Sequence, residues 1–321
     1  MSYKSLDTEK LLLEYAKAQE RMSMWLSGLQ ITYDLCMPQK AKFTVKNFYP
    51  GQKMTQHVYD HTAPNALIHF ADGIETNLMP PSTHWIRFEP AEELKETEEK
   101  ESVKSALEFY ENTVFEGRNK SNFYSQLTPS VEEMAISTGV LLINETDDKE
   151  IPIKFTSVPL HECCFGGQPG GEITKVWRKF KVEGQELQNQ WPQANIPDTV
   201  LRDIADNPYH EYDLIEGSIS HQGIKENDKY CYFVMLEAEK VNIVEEPRSY
   251  FPWTIFRPSV SSGELLGRGP MFRMESALRI INRMAQDELQ ANKWQTAPMF
   301  LDASGSSVNN YTAILCPDSI I

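Results

Sequence analysis

His161, Cys163 and Cys164 are the densest group of metal-ligating side chains in the sequence. A structural zinc site draws on a second pair at regular spacing. The plausible complement, His210 and His221, sits on other elements, so the favoured reading is a strand with buried thiols. ATP hydrolysis would need a phosphate-cradling loop ending in Gly-Lys-Ser/Thr, and the dipeptide Gly-Lys does not occur. The nearest dinucleotide-like fragment, Gly267-Arg-Gly269-Pro-Met-Phe272, lacks a third glycine and sets a proline where an amide would face phosphate. Gly267, Gly269 and Pro270 read instead as a hinge into a helix. Arg268 could meet phosphate at a helix N-terminus; pairing with a neighbouring carboxylate is the commoner role. His210-Glu-Tyr-Asp-Leu is half of a His-Glu-x-x-His motif, and no Gly-x-Ser-x-Gly elbow occurs. Asp287 and Glu288 are adjacent, so on a helix they point in different directions and make no dyad. Lys175-Val-Trp-Arg-Lys-Phe-Lys181 interleaves cations with aromatics, as strands that bind single-stranded nucleic acid do. Period two, however, places Val176 and Phe180 on one face and Trp177 with Lys175 and Lys179 on the other. The sequence thus points to no catalytic residue, no metal and no cofactor.

The longest helical pattern runs from Ser261 to Ala297, opening with a glycine-rich turn. Pro270 suits the first helical position and Pro298 stops the helix. Met271, Met274, Leu278, Ile281, Ala285 and Leu289 recur at spacings of three and four and form an apolar stripe. Arg273, Arg279, Arg283, Asp287, Glu288 and Lys293 occupy other faces. From Pro270 to Thr296 the helix would be about 40 Å long. So long a stripe predicts a second helix that covers it.

The other elements read as its scaffold. Leu6 to Met37 is expected to be one amphipathic helix capped by Asp7 or Ser5 and ended by Pro38. Thr62 should cap a second helix, with Pro64 in the first turn and Leu67, Phe70, Ala71, Ile74 and Leu78 as its buried face. Pro80 and Pro81 stop it, His84 to Phe88 reads as a short strand, and Trp85 is expected to pack on the helix. Glu92 to Glu101 is a solvated helix start or a mobile acidic surface, continued by a helix with a core face of Val103, Ala106, Leu107 and Tyr110. Asn122 to Ser137 is helical, with Pro129 expected to split or kink it, and Val140 to Ile143 is a buried strand. From Ile151 the period moves toward two. Ile153, Phe155, Leu160 and, beyond the Gly166 to Gly171 turn, Ile173, Val176, Trp177 and Phe180 read as a hairpin. Pro197 opens a short helix, Tyr212 to Ser220 pairs with Lys229 to Val244 around Gly223, and Trp253 to Arg257 is the last strand. Within Lys229 to Val244, Tyr230, Tyr232, Val234 and Leu236 point outward, away from Cys231, Phe233 and Met235. The fold class is α+β, a helical first half packed with a β-rich second half.

With 321 residues, 40% of them hydrophobic, the chain can build a real core. Its formal charge of −15 argues against gripping nucleic acid by phosphate neutralisation. Five cysteines without framework spacing predict free thiols in a reducing compartment. No apolar run approaches the roughly 20 residues of a membrane span, and Met1 to Lys10 lacks a signal-peptide core, so the chain is expected to be soluble when made.

Phe251 to Asp302 resembles the head-to-tail connecting (portal) proteins of short-tailed bacteriophages. The likeness is carried by Leu265, Leu266, Gly267, Arg268, Gly269, Pro270, Asn282 and Met284. Thr62 to Phe88 is similar to the helix and Trp-containing strand near that family's N-terminal end, and Gly139 to Ile143 adds a weaker match. The resemblance implies a dodecameric ring at one capsid vertex, a channel for double-stranded DNA, and docking of terminase, tail adaptor and capsid proteins, without enzymatic activity. It implies a wing over 1–260, a stem helix with its lead-in turn over 261–297, and the start of a clip over 298–321. The family's second stem helix, channel loop and crown would follow, which makes a fragment the expected reading. Arg279, Arg283 and Lys293 are the candidate DNA-facing residues; Met274, Leu278, Ile281, Ala285 and Leu289 are the candidate packing residues. A DNA conduit gains from weak or repulsive walls, which fits an acidic chain; an ordinary acidic cytosolic protein fits the same charge equally well. The alternatives are another virion ring such as a tail adaptor, or a soluble metal-dependent hydrolase.

Overall fold

The structure, a computed structural model, describes residues 6–40, 43–44, 57–91, 100–146, 148, 150–168, 170–220 and 229–296. It is an α+β fold whose two antiparallel sheets are clad in helices. Helix α1 (Thr8–Ser23) starts where the Asp7 carboxylate accepts from the Glu9 N–H at 3.1 Å. Leu11, Tyr15, Ala18 and Met22 make its buried stripe. The single N-terminal helix expected from the sequence is in fact two, with α2 (Leu26–Cys36) turning off at Met24 and Trp25. Ser23 donates its hydroxyl to the Glu20 carbonyl at 2.6 Å, competing with the helix ladder at the break.

Helix α3 (Thr62–Leu78) has the expected span but a different cap. Asp60 accepts from the Thr62 N–H at 3.1 Å and from its hydroxyl at 2.7 Å, so Thr62 donates where it was expected to accept. These bonds hold the Asp60 carboxyl below its usual range. Leu67 and Ala71 are buried and Phe70 and Ile74 half-buried, but Leu78 is exposed, because the chain leaves the body there. His84 to Phe88 pairs with no strand among the described residues. Trp85 packs edge-on against Phe115 of helix α4 (Lys100–Lys120). The predicted core face of α4 is not buried: Val103 and Leu107 are half-exposed, Ala106 and Tyr110 exposed. The acidic stretch before α4 lies outside the described residues up to Lys100.

Helix α5 (Phe123–Ile136) runs through Pro129 without a break. An interior proline costs about 3 kcal/mol, but burial of Leu127, Val131, Ala135 and Ile136 between α3 and the first sheet outweighs it. Strand β1 (Gly139–Glu145) follows at once, so close that a Cβ on Gly139 would meet the Ser130 carbonyl at 2.1 Å. It is central in the sheet β2-β1-β8, with β2 spanning Ile153–Ser157 and β8 Trp253–Phe256. Side chains of α5 and of Asn122 just before it cap the outer edge of β2. Asn122 accepts from the Phe155 N–H at 2.9 Å and donates to its carbonyl at 2.8 Å, and Gln126 accepts from the Ser157 N–H at 2.9 Å.

The second sheet has the order β3-β4-β5-β6-β7, all antiparallel. The predicted hairpin is β3 (Cys163–Gly167) with β4 (Ile173–Glu183), turning at Gly171 with φ +84°. Strand β5 (Glu211–Ser220) pairs with β6 (Tyr230–Leu236) as expected; the connection around Gly223 lies outside the described residues. Lys229 to Val244 is not one strand, since the chain turns at Lys240, φ 52°, into β7 (Val241–Arg248). Nor do Tyr232, Val234 and Leu236 face solvent. Helices α6 (Gly184–Gln190), absent from the sequence reading, and α7 (Asp198–Asp206) cover that side, where the three pack with Leu187, Val200 and Ile204. The opposite side carries Cys231, Phe233 and Met235 into the main core with Tyr15, Tyr33 and Trp177. This sheet is therefore buried on both faces, a pattern that period-two reading takes for half exposure.

Candidate functional site

The chain leaves β8 through Arg257, whose guanidinium donates to the carbonyls of Gly171 at 2.8 Å and Leu265 at 3.1 Å. The segment that follows is laid on the C-terminal end of α5. The Gly269 N–H donates to the Ile136 carbonyl at 3.0 Å, the Gly267 N–H to the Thr138 hydroxyl at 2.9 Å, and the Ser137 hydroxyl to the Gly267 carbonyl at 2.8 Å. Added Cβ atoms would lie 2.2 Å from the Ala135 carbonyl oxygen at Gly269 and 2.7 Å from that of Ser137 at Gly267. Both glycines are thus required by close approach of two backbones.

Pro270 occupies the first position of helix α8 (Pro270–Arg273). The long run expected as one helix then breaks at Met274, whose N–H is shared between the carbonyls of Pro270 and Met271, and resumes as α9 (Glu275–Thr296), about 33 Å long. Of the expected packing residues, Leu278 is buried, Ala285 half-buried, and Met274, Ile281 and Leu289 exposed. Ile280 and Met284 are exposed as well, Met284 by 66%. Asn282, on the same side as Leu278 and Ala285, is fully engaged. Its amide oxygen accepts from the N–H groups of Tyr59 at 2.7 Å and Asp60 at 3.2 Å, and its nitrogen donates to the His57 carbonyl at 2.8 Å.

Arg279, Arg283, Gln286, Gln290 and Lys293 succeed one another by four, three, four and three residues and so share one stripe of α9. Arg279 pairs with Glu275 at 3.2 Å and Arg283 with Asp287 at 3.1 Å. Exposed pairs of this kind contribute little, 0 to about 1 kcal/mol. With three acidic and three basic residues α9 carries no net charge. Its basic stripe is polar and exposed without being strongly cationic.

The other chemical candidates separate. Arg268 pairs with Glu264 at 2.6 Å, and its guanidinium lies over the rings of Trp25 and Phe272 at 5.1 and 5.7 Å. In the cationic strand every base meets a carboxylate: Lys175 with Glu14, Arg178 with Glu162 and Glu216, Lys179 with Glu237, Lys181 with Glu211. Cys163 and Cys164 are buried, and burial pushes the Cys164 thiol up to about 12. Among the described residues no three His, Cys, Asp or Glu side chains are placed to hold a metal ion.

Two buried carboxylates escaped the sequence reading. Glu133 on α5 accepts from the Leu160 N–H at 2.8 Å and lies 3.6 Å from the Lys40 ammonium; burial raises it to about 7. Glu216 on β5 accepts from the Tyr232 hydroxyl at 2.6 Å and from Arg178, and burial raises it too. Nothing in the local sequence marks either one, since each is identified by partners far along the chain.

Among the described residues no helix is long and apolar enough to cross a membrane. The family of bacteriophage head to tail connecting proteins matches this chain over residues 8–317. A curated relative, a probable portal protein of Bordetella phage BPP-1, is 22% identical over 191 residues, 59% of this chain and 34% of the relative, so the chain spans about a third of that relative's length. The matched span takes in α1, both sheets, the pinned glycine turn and α9, and the chain belongs to the bacteriophage head to tail connecting protein family.

Proposed function

We propose that this chain is a portal subunit. Copies assemble as a ring, taken to be a dodecamer, at one capsid vertex. Double-stranded DNA passes through its channel during packaging and ejection, and terminase, tail adaptor and capsid proteins dock on it. The protein acts in the virion and is assembled in the host cytoplasm. It makes and breaks no bond.

The observation that carries this reading is the family match over residues 8–317. The chemistry of α9 supports it. One stripe, Arg279, Arg283 and Lys293, is exposed and polar, while Ile280, Ile281 and Met284 lie exposed on another side. A helix between DNA and a neighbouring subunit needs both. Residues 1–260 then form the wing and 261–297 the stem with its lead-in turn; the clip proposed for 298–321 lies outside the described residues. At physiological salt only charges within roughly 8 Å of the duplex act on it, so the neutral α9 matters more than the total of −15.

The test is negative-stain imaging of the full-length chain, with rotational symmetry counted in end-on views. A closed ring with a bore wide enough for a duplex, which also binds terminase, is the expected result. A ring without such a bore favours a tail adaptor, and a monomer or twofold particle overturns the proposal.

A further inference from the structure

Helix α4 is patterned for burial and left uncovered. Val103, Ala106, Leu107, Tyr110 and Val114 recur at helical spacing with Phe109 beside them, yet Phe115 is the one buried side chain among the described residues of the helix. The helix is anchored on the side that faces the segment before it, where Glu111 pairs with His84 at 3.2 Å. There Phe115 stacks on His84 at 4.1 Å, and Arg118 lies 4.5 Å over the Phe115 ring while donating to the Pro81 carbonyl at 3.3 Å. Phe109 and Tyr110 are 67% and 61% exposed. Helices of this kind draw most of their stability from packing of an apolar face, so the uncovered face calls for a partner.

A complementary concavity lies elsewhere on the chain. Where α1 breaks into α2, a cleft of about 730 Å³ opens between Met24, Trp25, Leu265 and Phe272, a volume in the range of ligand pockets. Trp25 and Phe272 are 5.9 Å apart, and Met24 at its lip is 76% exposed. Charge matches as well. The stretch from Glu101 to Gly117 has four glutamates and one lysine, so it stays acidic although Glu108, beside Phe109 and 63% exposed, lies 4.0 Å from Lys104. At the cleft Arg268 is balanced by Glu264, whereas Arg21 on the rim makes no ion pair among the described residues.

We infer that the Phe109–Tyr110 ridge of α4 from one copy seats in the Trp25–Phe272 cleft of a second copy, with Glu108 facing Arg21. The inference rests on the proposed ring. Ridge and cleft are different surfaces of one chain, so the contact is head-to-tail, which closes into a ring when the rotation between copies divides a full turn. It also accounts for a helix whose apolar pattern finds no cover among the described residues of its own subunit.

The test places the photo-cross-linking residue p-benzoylphenylalanine at position 109 of the full-length chain, irradiates the purified particle and maps the products by mass spectrometry. Cross-links between copies at Met24, Trp25 or Phe272 are expected. Arg21→Glu should raise the concentration needed for half-assembly by roughly tenfold, and Glu108→Lys in the same chain should recover most of that loss. Rings whose position 109 cross-links elsewhere, or not at all, overturn the docking and leave the ring standing. A chain that stays monomeric at every concentration overturns the ring and this inference together.

Discussion

The side-chain amide of Asn282 accepts a hydrogen bond from the backbone N–H of Tyr59 at 2.7 Å, across 223 positions of sequence. With its bonds to Asp60 and His57, this residue fastens α9 to the segment that caps α3. Asn282→Ala should free that segment. Loss of amide protection at Tyr59 and Asp60 in hydrogen exchange, with about 1–2 kcal/mol lost in denaturant unfolding, is the expected outcome. Retained protection would show that the segment is held by other contacts.

Glycines in this chain answer to different constraints, and alanine separates them. At Gly269 a Cβ meets backbone at 2.2 Å, so Gly269→Ala should cost several kcal/mol or leave the protein insoluble. Gly73, inside α3 with nothing within 4 Å, should gain about 0.5–1 kcal/mol as alanine. Thermal unfolding of the two variants reads the contrast directly.

Much of the family likeness becomes intelligible in these terms. Leu266 is core, Gly267 and Gly269 are close contacts, Arg268 is an ion pair over two rings, and Asn282 is a fastener. Periodicity found α3, α5, β1 and the β3–β4 hairpin because their patterns are local. It missed α6, which holds its place by contact: a Cβ on Gly184 would lie 2.7 Å from Ile204. The polar stripe of α9 follows from spacing alone, whereas the Glu133 and Glu216 carboxylates are fixed by tertiary partners that no local window contains.

Glu133 makes stability depend on pH. Burial raises its folded value to about 7, above that of the unfolded chain, so the native state holds the extra proton between the two values. Its contribution is therefore greatest at the acidic end of the window and falls as pH rises toward 7. Glu133→Gln should flatten that slope in melting curves taken from pH 5 to 8. An unchanged slope would assign it to other groups.

Arg178 lies between two carboxylates, Glu162 at 2.8 Å and Glu216 at 3.3 Å. Arg178→Met leaves the buried Glu216 without its cation and should destabilise the fold by about 3–5 kcal/mol, whereas Lys181→Met, at an exposed pair, should cost less than about 1 kcal/mol. Equal losses in chemical unfolding would contradict this ordering.

Arg279→Glu with Arg283→Glu leaves Glu275 and Asp287 unpaired and turns the polar stripe of α9 acidic. Assembly should persist, and the fraction of heads that retain DNA should fall. If rings disappear while surviving particles hold DNA normally, these side chains belong to a subunit interface.

The caps that Asn122 and Gln126 place on Phe155 and Ser157 reach past α5 in their effect. A free strand margin is adhesive toward any extended chain, and copies brought together in number are exposed to that hazard while they await their proper neighbours. Here the margin is already spent at those two residues by side chains of the same subunit. Crowded copies are left to recognise one another through shape and charge, and fusing sheet to sheet along β2 is closed to them.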